Sequence, residues 1–396
     1  MRVMMMSTPV SSHFSPLVPL AWALRGAGHE VLVAGQPDVM GPARAAGLSA
    51  VSIGDWFHVD DLLLGGLPEG KRLIESLGRP ASEQVAGAAR MWMVHTKYLL
   101  PDYLDFARAY RPQLIVSDLL EYTAPILGAV LGVPVAHHRW GVDPYTRPAR
   151  PAARLALQGV CERLGLDGLP DPTVLLDPCP PALQLPTAEP GTPIRYVPAG
   201  VGGPMPDWLR EEGDGGAGAG SGRRRVAVSM GLRTLVLNGV PHLRRVLRAF
   251  EGLPDLEAVA TVEPEYREEL GPVPDNVRII DPTPLHLLLG SCAAVIHHGG
   301  AGTALTSSAF GLPQLVLPQL ACMFATGDRL AAAGAGITLD DAARQDDPEV
   351  LREALTTLLS GPGYAKAAGE LREDMERMPA PSRVVADLER LAAQPV

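Results

Sequence analysis

Short, almost wholly apolar runs recur along this chain, each followed by a loop and a helix-period stretch, and that alternation leaves few folds open. Residues 2–6 form one such run and 7–13 a polar loop; 15–25 is a helical stretch with Leu17, Leu20, Ala21 and Leu24 in phase, ending at Gly26, and 30–34 is a second run. Strand, loop, helix, strand is the opening of a parallel βαβ unit. The pattern returns at Leu114-Ile115-Val116, which leads into Ser117-Asp118, a helix over 121–131 and then Val133-Pro134-Val135-Ala136. Strands this short and apolar are covered by helices on both faces. After residue 222 the alternation restarts, with strands expected at 225–230, 256–262, 277–281, 294–297, 314–318 and 337–340 and helices at 238–251, 284–291 and from Gly302.

The length of 396 residues suits two domains. The expectation is an α/β chain of two Rossmann-like domains facing across a cleft, covering 1–205 and 223–378. A glycine-rich linker at 206–222 joins them, and a closing helix within 379–396 packs back on the first.

Composition narrows the function classes. Charged residues make up 20% and the hydrophobic set 46%, a mixture that excludes a disordered chain. With 44 acidic against 34 basic side chains the net charge is −10, so nucleic acid is not an expected partner. The apolar start Met1-Arg2-Val3-Met4-Met5-Met6 turns polar at Ser7-Thr8, too soon for a signal peptide or a span, and a cytoplasmic protein without membrane contact is expected. Four cysteines without a CxxC pair point away from disulfides and structural zinc.

Three motif spellings fail on context. Gly213 to Gly218 reads GxGxxG but precedes a strand where dinucleotide binding needs one before it. Gly65 to Gly70-Lys71 resembles a phosphate loop, yet Arg72 stands where a magnesium-binding hydroxyl belongs. His58, Asp60 and Asp61 could ligate a metal, but loop carboxylates are usually solvated, and no metal is expected.

The strongest local signal is Ala294-Val295-Ile296-His297-His298-Gly299-Gly300-Ala301-Gly302-Thr303, a buried strand opening through glycines into a helix. Unpaired backbone N–H groups and the positive end of the helix dipole converge there, which suits an anion. Thr303 adds a hydroxyl donor, and a histidine can donate to a phosphate oxygen. The plainer alternative is a strand-turn-helix that needs its glycines regardless.

His297 to Thr303, with Gly311-Leu312-Pro313-Gln314 and Leu317-Pro318, resembles the donor-diphosphate signature of family 1 glycosyltransferases, in particular bacterial enzymes acting on polyketide antibiotics and macrolides. The likeness extends through the loop carrying His13, the stretch 138–144, Asp177 to Pro181, Pro284-Leu285-His286 and 379–385. It implies the GT-B fold and metal-independent, inverting transfer of a sugar from a nucleotide diphosphate to an acceptor hydroxyl. The donor is expected to be a thymidine-diphosphate deoxysugar, a co-substrate with no further cofactor, and the acceptor a small-molecule aglycone. A homodimer is left open.

The resemblance also assigns residues. His13 matches the general base, and Asp118, in the region where its carboxylate partner usually lies, can alternatively cap a helix. His297 is preferred for the diphosphate with His298 in reserve; Gly299, Gly300, Gly302 and Thr303 complete the turn. Ser229 and Gly231 resemble a second phosphate loop, and Pro284 and Leu285 fall where relatives contact the base. Trp56 and Trp92, in an aromatic-rich segment at 54–110, together with Trp140 and Asp143, are the expected acceptor contacts, although the aromatic segment also reads as ordinary core.

Two departures stand out. Relatives often carry a Trp shortly before the base-contacting Pro, where this chain has Asp281-Pro282-Thr283-Pro284. Many also have an Asp-Gln pair after Pro318, where this chain runs Gln319-Leu320-Ala321-Cys322-Met323-Phe324. With Gln319, Cys322 and Met323 in the sugar region and no carboxylate to hold hydroxyls, a deoxygenated or methylated sugar is expected. Rival readings are a sugar-nucleotide 2-epimerase of the same fold and a non-catalytic auxiliary subunit.

Overall fold

Seven strands, β1 (Arg2–Met6), β2 (Glu30–Gly35), β3 (Ser49–Ser52), β4 (Leu114–Asp118), β5 (Val135–His138), β6 (Val174–Asp177) and β7 (Thr192–Pro193), form a parallel sheet in the order β3-β2-β1-β4-β5-β6-β7. A second parallel sheet contains β8 (Arg224–Ser229), β9 (Leu256–Thr261), β10 (Val277–Ile280), β11 (Ala294–His297), β12 (Gln314–Val316) and β13 (Gly336–Thr338), in the order β10-β9-β8-β11-β12-β13. The computed structural model describes residues 1–199, 203, 205–211 and 222–394. The glycine-rich stretch at 213–221, with its GxGxxG spelling, lies outside the described residues.

In each sheet the chain builds strands outward in one direction, then returns to the first strand and builds the other way. The order reverses between β1 and β4 in the first sheet and between β8 and β11 in the second. Ligands of open α/β sheets bind at the carboxyl ends of the strands flanking such a reversal.

The chain divides into two units, Met1–Val59 with Ala81–Val201 and Arg377–Val396, and Asp60–Pro80 with Gly202–Glu376. Residues 60–80 therefore join the second unit, not the continuous first domain expected over 1–205. Arg72 explains this: its buried guanidinium lies 2.8 Å from Asp346 and donates to Gln345 at 3.1 Å. Arg79 adds pairs with Asp328 at 2.7 Å and Asp340 at 2.8 Å. Asp207–Glu211, inside the expected linker, is a helix of the second unit.

In the first unit, Val3, Met5, Val33, Leu114 and Val116 of the sheet pack with Leu17, Leu20 and Leu24 of the following helix. The last helix, Pro381–Ala392, joins that core through Val384, Val385 and Leu388, so the chain's end completes the unit where it began. The second core is built from Val226, Val228, Ala258, Ile296 and Leu315, covered by Leu243, Val246, Leu247, Leu351 and Leu355. Among the described residues no helix is long and apolar enough to cross a membrane.

Candidate active site

The reversal in the first sheet places two loop ends side by side. Met6 of β1 pairs with Ser117 of β4, so Thr8 leaves the sheet next to Asp118. Asp118 is fully buried; its Oδ2 accepts from the Thr8 backbone N–H at 2.7 Å and from Thr8 Oγ1 at 3.1 Å, and its Oδ1 accepts from Leu120 N–H at 2.8 Å. Burial, followed by the nearby Glu121 carboxyl, pushes the Asp118 pKa up to about 7 in spite of these donors. Glu121, also fully buried, is itself pushed up to about 7 by burial.

The one-turn helix Ser11–Phe14 then presents His13, whose Nδ1 lies 2.6 Å from Thr8 Oγ1. Its ring lies flat on Trp140, centroids 3.7 Å apart and planes 22° apart, with Trp92 edge-on at 5.9 Å. Phe57 extends the aromatic group, 5.5 Å from Trp92. A partly exposed imidazole is thus held by an indole on one side and a buried hydroxyl and carboxylate at one nitrogen. That arrangement can accept a proton at the other nitrogen.

The other two expected acceptor residues have different settings. Trp56 is 60% exposed and stacks on His58, centroids 5.1 Å apart. Asp143 is buried with both oxygens engaged: Oδ2 takes a 2.8 Å bond from Arg139, and Oδ1 accepts from the N–H groups of Tyr145 and Thr146. Its role is corrected from acceptor contact to an internal clamp on the buried Arg139, which also meets Asp177 at 2.6 Å.

In the second sheet, His297 of β11 pairs with Ser229 of β8, so the Ser229-Met230-Gly231 loop leaves beside the glycine turn. Gly299 has φ +86°, and a Cβ there would stand 2.9 Å from the Met323 carbonyl. A Cβ on Gly231 or Gly300 would strike the His298 ring, at 2.7 and 2.3 Å, so these glycines form the slot that holds it. Gly300 caps the helix Ala301–Ala309 without any side-chain cap bond, and Gly302 and Thr303 sit on its first turn. The first turn of a helix carries N–H groups that its own backbone does not bond, and they point toward the glycine turn.

The preference for His297 is corrected. Its ring is fully buried, Nδ1 accepts from Gly299 N–H at 3.0 Å and Nε2 is 2.9 Å from Gln314 Oε1, leaving no nitrogen for a ligand. Burial lowers its pKa to about 3, so it is a neutral strut. His298 is the partly exposed ring; its Nδ1 faces the Ser229 carbonyl at 3.4 Å. Burial again dominates in lowering its pKa to about 4.

Gln319 is corrected as well. Its amide donates to the Leu317 carbonyl and to Gln345, while its oxygen faces Arg72, so the side chain is consumed internally. Met323 is buried and Cys322 half-buried on the helix Ala321–Ala332. A small recess in this unit is lined by Leu73, Arg233, Thr234, Leu237, Gln319, Leu320 and Met323, none of them acidic. Pro284 caps the short helix Leu285–Leu288, and Leu285 packs in a cluster with Trp208. The guanidiniums of Arg225 and Arg278 lie 4.9 and 4.5 Å from the Trp208 ring.

Sequence reasoning missed Thr8, Glu121 and Arg72. Thr8 sat in the polar loop at 7–13, and only strand register shows which hydroxyl meets Asp118. Among the described residues no group of three or more His, Cys, Asp or Glu is placed to hold a metal ion, and the four cysteines form no disulfide.

Comparison with known proteins identifies the family. Residues 22–231 match the N-terminal domain, and 244–391 the C-terminal domain, of the erythromycin biosynthesis protein CIII-like family. The chain is 34% identical to TDP-daunosamine transferase DnrS of Streptomyces peucetius, over 100% of this chain and 97% of that one. It is likewise 34% identical to tylactone mycaminosyltransferase of Streptomyces fradiae, over 99% and 93%. Among solved structures, the spinosyn rhamnosyltransferase SpnG complexed with thymidine diphosphate superposes with a TM-score of 0.87 at 38% identity, covering 98% of this chain and 100% of that one. With two reversal-point sites on two parallel sheets and matches spanning both, the chain belongs to the erythromycin biosynthesis protein CIII-like family and is a glycosyltransferase of the GT-B fold.

Proposed function

We propose that this enzyme transfers a deoxysugar from a thymidine-diphosphate donor to a hydroxyl of a polyketide-derived aglycone, with inversion and without a metal. The observation that carries the reading is the His13–Thr8–Asp118 chain beside Trp140 and Trp92 at the reversal point of the first sheet. A sugar acceptor hydroxyl is a weak nucleophile at neutral pH, and a positioned base contributes about 10²–10⁴ in rate. His13 Nε2 takes the hydroxyl proton as its oxygen bonds to the anomeric carbon; the bond from that carbon to the diphosphate oxygen breaks, and the nucleoside diphosphate leaves.

The growing negative charge falls to the second unit. The N-terminus of the helix Ala301–Ala309 supplies fixed backbone donors of the kind that stabilises a leaving anion, and the His298 ring walls the turn beside it. The aromatic side chains around His13 supply an apolar surface for an aglycone. The run 319–327 carries no carboxylate, which supports a sugar poor in hydroxyls, since unpaired buried hydroxyls are costly. The relatives named above, transferases of amino and deoxy sugars, support both substrate classes.

The reading is tested by incubating the enzyme with TDP-L-rhamnose and a panel of macrolide and anthracycline aglycones in EDTA, with mass spectrometry of the products. A glycosylated aglycone is expected. Faster turnover with UDP-glucose would overturn the donor assignment, and recovery of only an epimerised donor would favour the epimerase.

A further inference from the structure

We propose that Thr8 sets the protonation state of the base: its hydroxyl accepts from His13 Nδ1–H and donates to Asp118, which leaves His13 Nε2 as the lone pair that meets the acceptor. The inference rests on the reading of His13 as the base and adds to it a positioning residue that neither sequence motif supplied.

Hydrogen counting carries it. Thr8 Oγ1 lies 2.6 Å from His13 Nδ1 and 3.1 Å from Asp118 Oδ2. A hydroxyl has one proton to give and two lone pairs to accept with. Asp118 Oδ2 already accepts from the Thr8 backbone N–H, and Oδ1 from Leu120 N–H, so an ionised Asp118 acts only as acceptor. The Thr8 proton therefore points to Asp118, and the contact with Nδ1 is made by the ring's own N–H. With Nδ1–H each of the two contacts holds one proton; the other tautomer leaves the single hydroxyl proton for both, so one contact would set lone pair against lone pair.

The same chain serves the charged state. When Nε2 gains a proton, the positive charge at Nδ1–H is one hydroxyl away from a buried carboxylate, an effect otherwise supplied by direct carboxylate contact. Thr8 is itself fully buried, so water does not compete for its hydroxyl. Its place is fixed by the backbone bond to Asp118 and by strand register, and the relay needs no loop closure.

The test combines spectroscopy with kinetics on the full chain labelled with 15N-histidine. Ring nitrogen shifts at pH 8.5, above the ordinary imidazole range, report the tautomer, and the His13 signals are identified by their loss in His13→Gln. Wild type and Thr8→Ser are expected to show Nδ1–H, and Thr8→Val to shift to Nε2–H or a mixture. Thr8→Val is also expected to lose about 10- to 100-fold in kcat with little change in KM, whereas Thr8→Ser stays within about threefold of wild type. A wild-type ring already in the Nε2–H form, or Thr8→Val with unchanged tautomer and kcat, overturns the proposal; the wild-type spectrum decides even if Thr8→Val does not fold. If His13→Gln retains wild-type kcat, the base assignment itself fails, whatever the Thr8 variants show.

Discussion

The imidazole of His13 lies flat against the indole of Trp140, centroids 3.7 Å apart and planes 22° apart. The stack fixes the ring plane while the Thr8 contact fixes one nitrogen, so together they determine the direction of the other. Aromatic pairs of this kind are worth about 0.5–1.5 kcal/mol beyond the area they bury. Trp140→Phe, which keeps a smaller ring, is expected to lower kcat about two- to tenfold at nearly constant Tm. Trp140 is 8% exposed, so Trp140→Ala also opens a cavity and is expected to cost about 3–5 kcal/mol of stability. Steady-state kinetics with thermal melts separate the two effects; an unchanged kcat in both variants would remove the stack from the catalytic account.

The two adjacent histidines of the glycine turn are expected to behave in opposite ways. His298→Ala removes the ring held between Gly231 and Gly300 and should weaken thymidine-diphosphate binding about 10- to 100-fold with a small effect on Tm. His297→Ala strands the Gly299 N–H and the Gln314 oxygen in a buried place, at about 1–3 kcal/mol for each unsatisfied group. Its signature should be a lower Tm, with donor affinity changed only as far as the turn loosens. Calorimetry and melts on both variants check this.

Activity should rise with pH through neutrality. Asp118, raised to about 7 by burial and by Glu121, must be ionised for Thr8 to donate to it. Below that range a protonated Asp118 can reverse the chain and put the proton on His13 Nε2, where it blocks base catalysis. Among the groups acting electrostatically with Asp118 are Glu121 and the buried Tyr103 and Tyr122, and both phenols are raised further from neutrality. Glu121→Gln removes the repelling carboxyl while keeping an oxygen for the Thr123 N–H, so the acid limb of the kcat profile should move to lower pH. A limb that stays in place would separate the rise from Asp118.

Much of the architecture was legible because it rests on local pattern. The short apolar runs at 2–6, 30–34, 114–116 and 294–297 became β1, β2, β4 and β11, and the turn after His297 had a glycine at 299, where the positive φ requires one. Strands of polar or mixed composition, such as β3 with Ser49 and Ser52, carried no such signal. What periodicity could not show was partnership over long separations. Arg72 followed a glycine and a lysine and stood out only as the residue that spoils a phosphate-loop spelling, yet its partners are Gln345 and Asp346, more than 270 positions away. The choice between His297 and His298 turned on alternation along β11: the last strand residue points into the sheet's packing and bonds Gln314, and the next enters the turn. Asp143 looked available because nothing local announced that Arg139, four residues earlier, would be buried with it.

The central claim, a metal-free site for a thymidine-diphosphate donor, is tested most directly by calorimetric titration of thymidine diphosphate and uridine diphosphate into the full chain with EDTA present. The account predicts saturable binding of both, tighter for the thymidine form and weakened in His298→Ala. Absence of binding by either nucleotide, or a clear preference for uridine diphosphate, would contradict it.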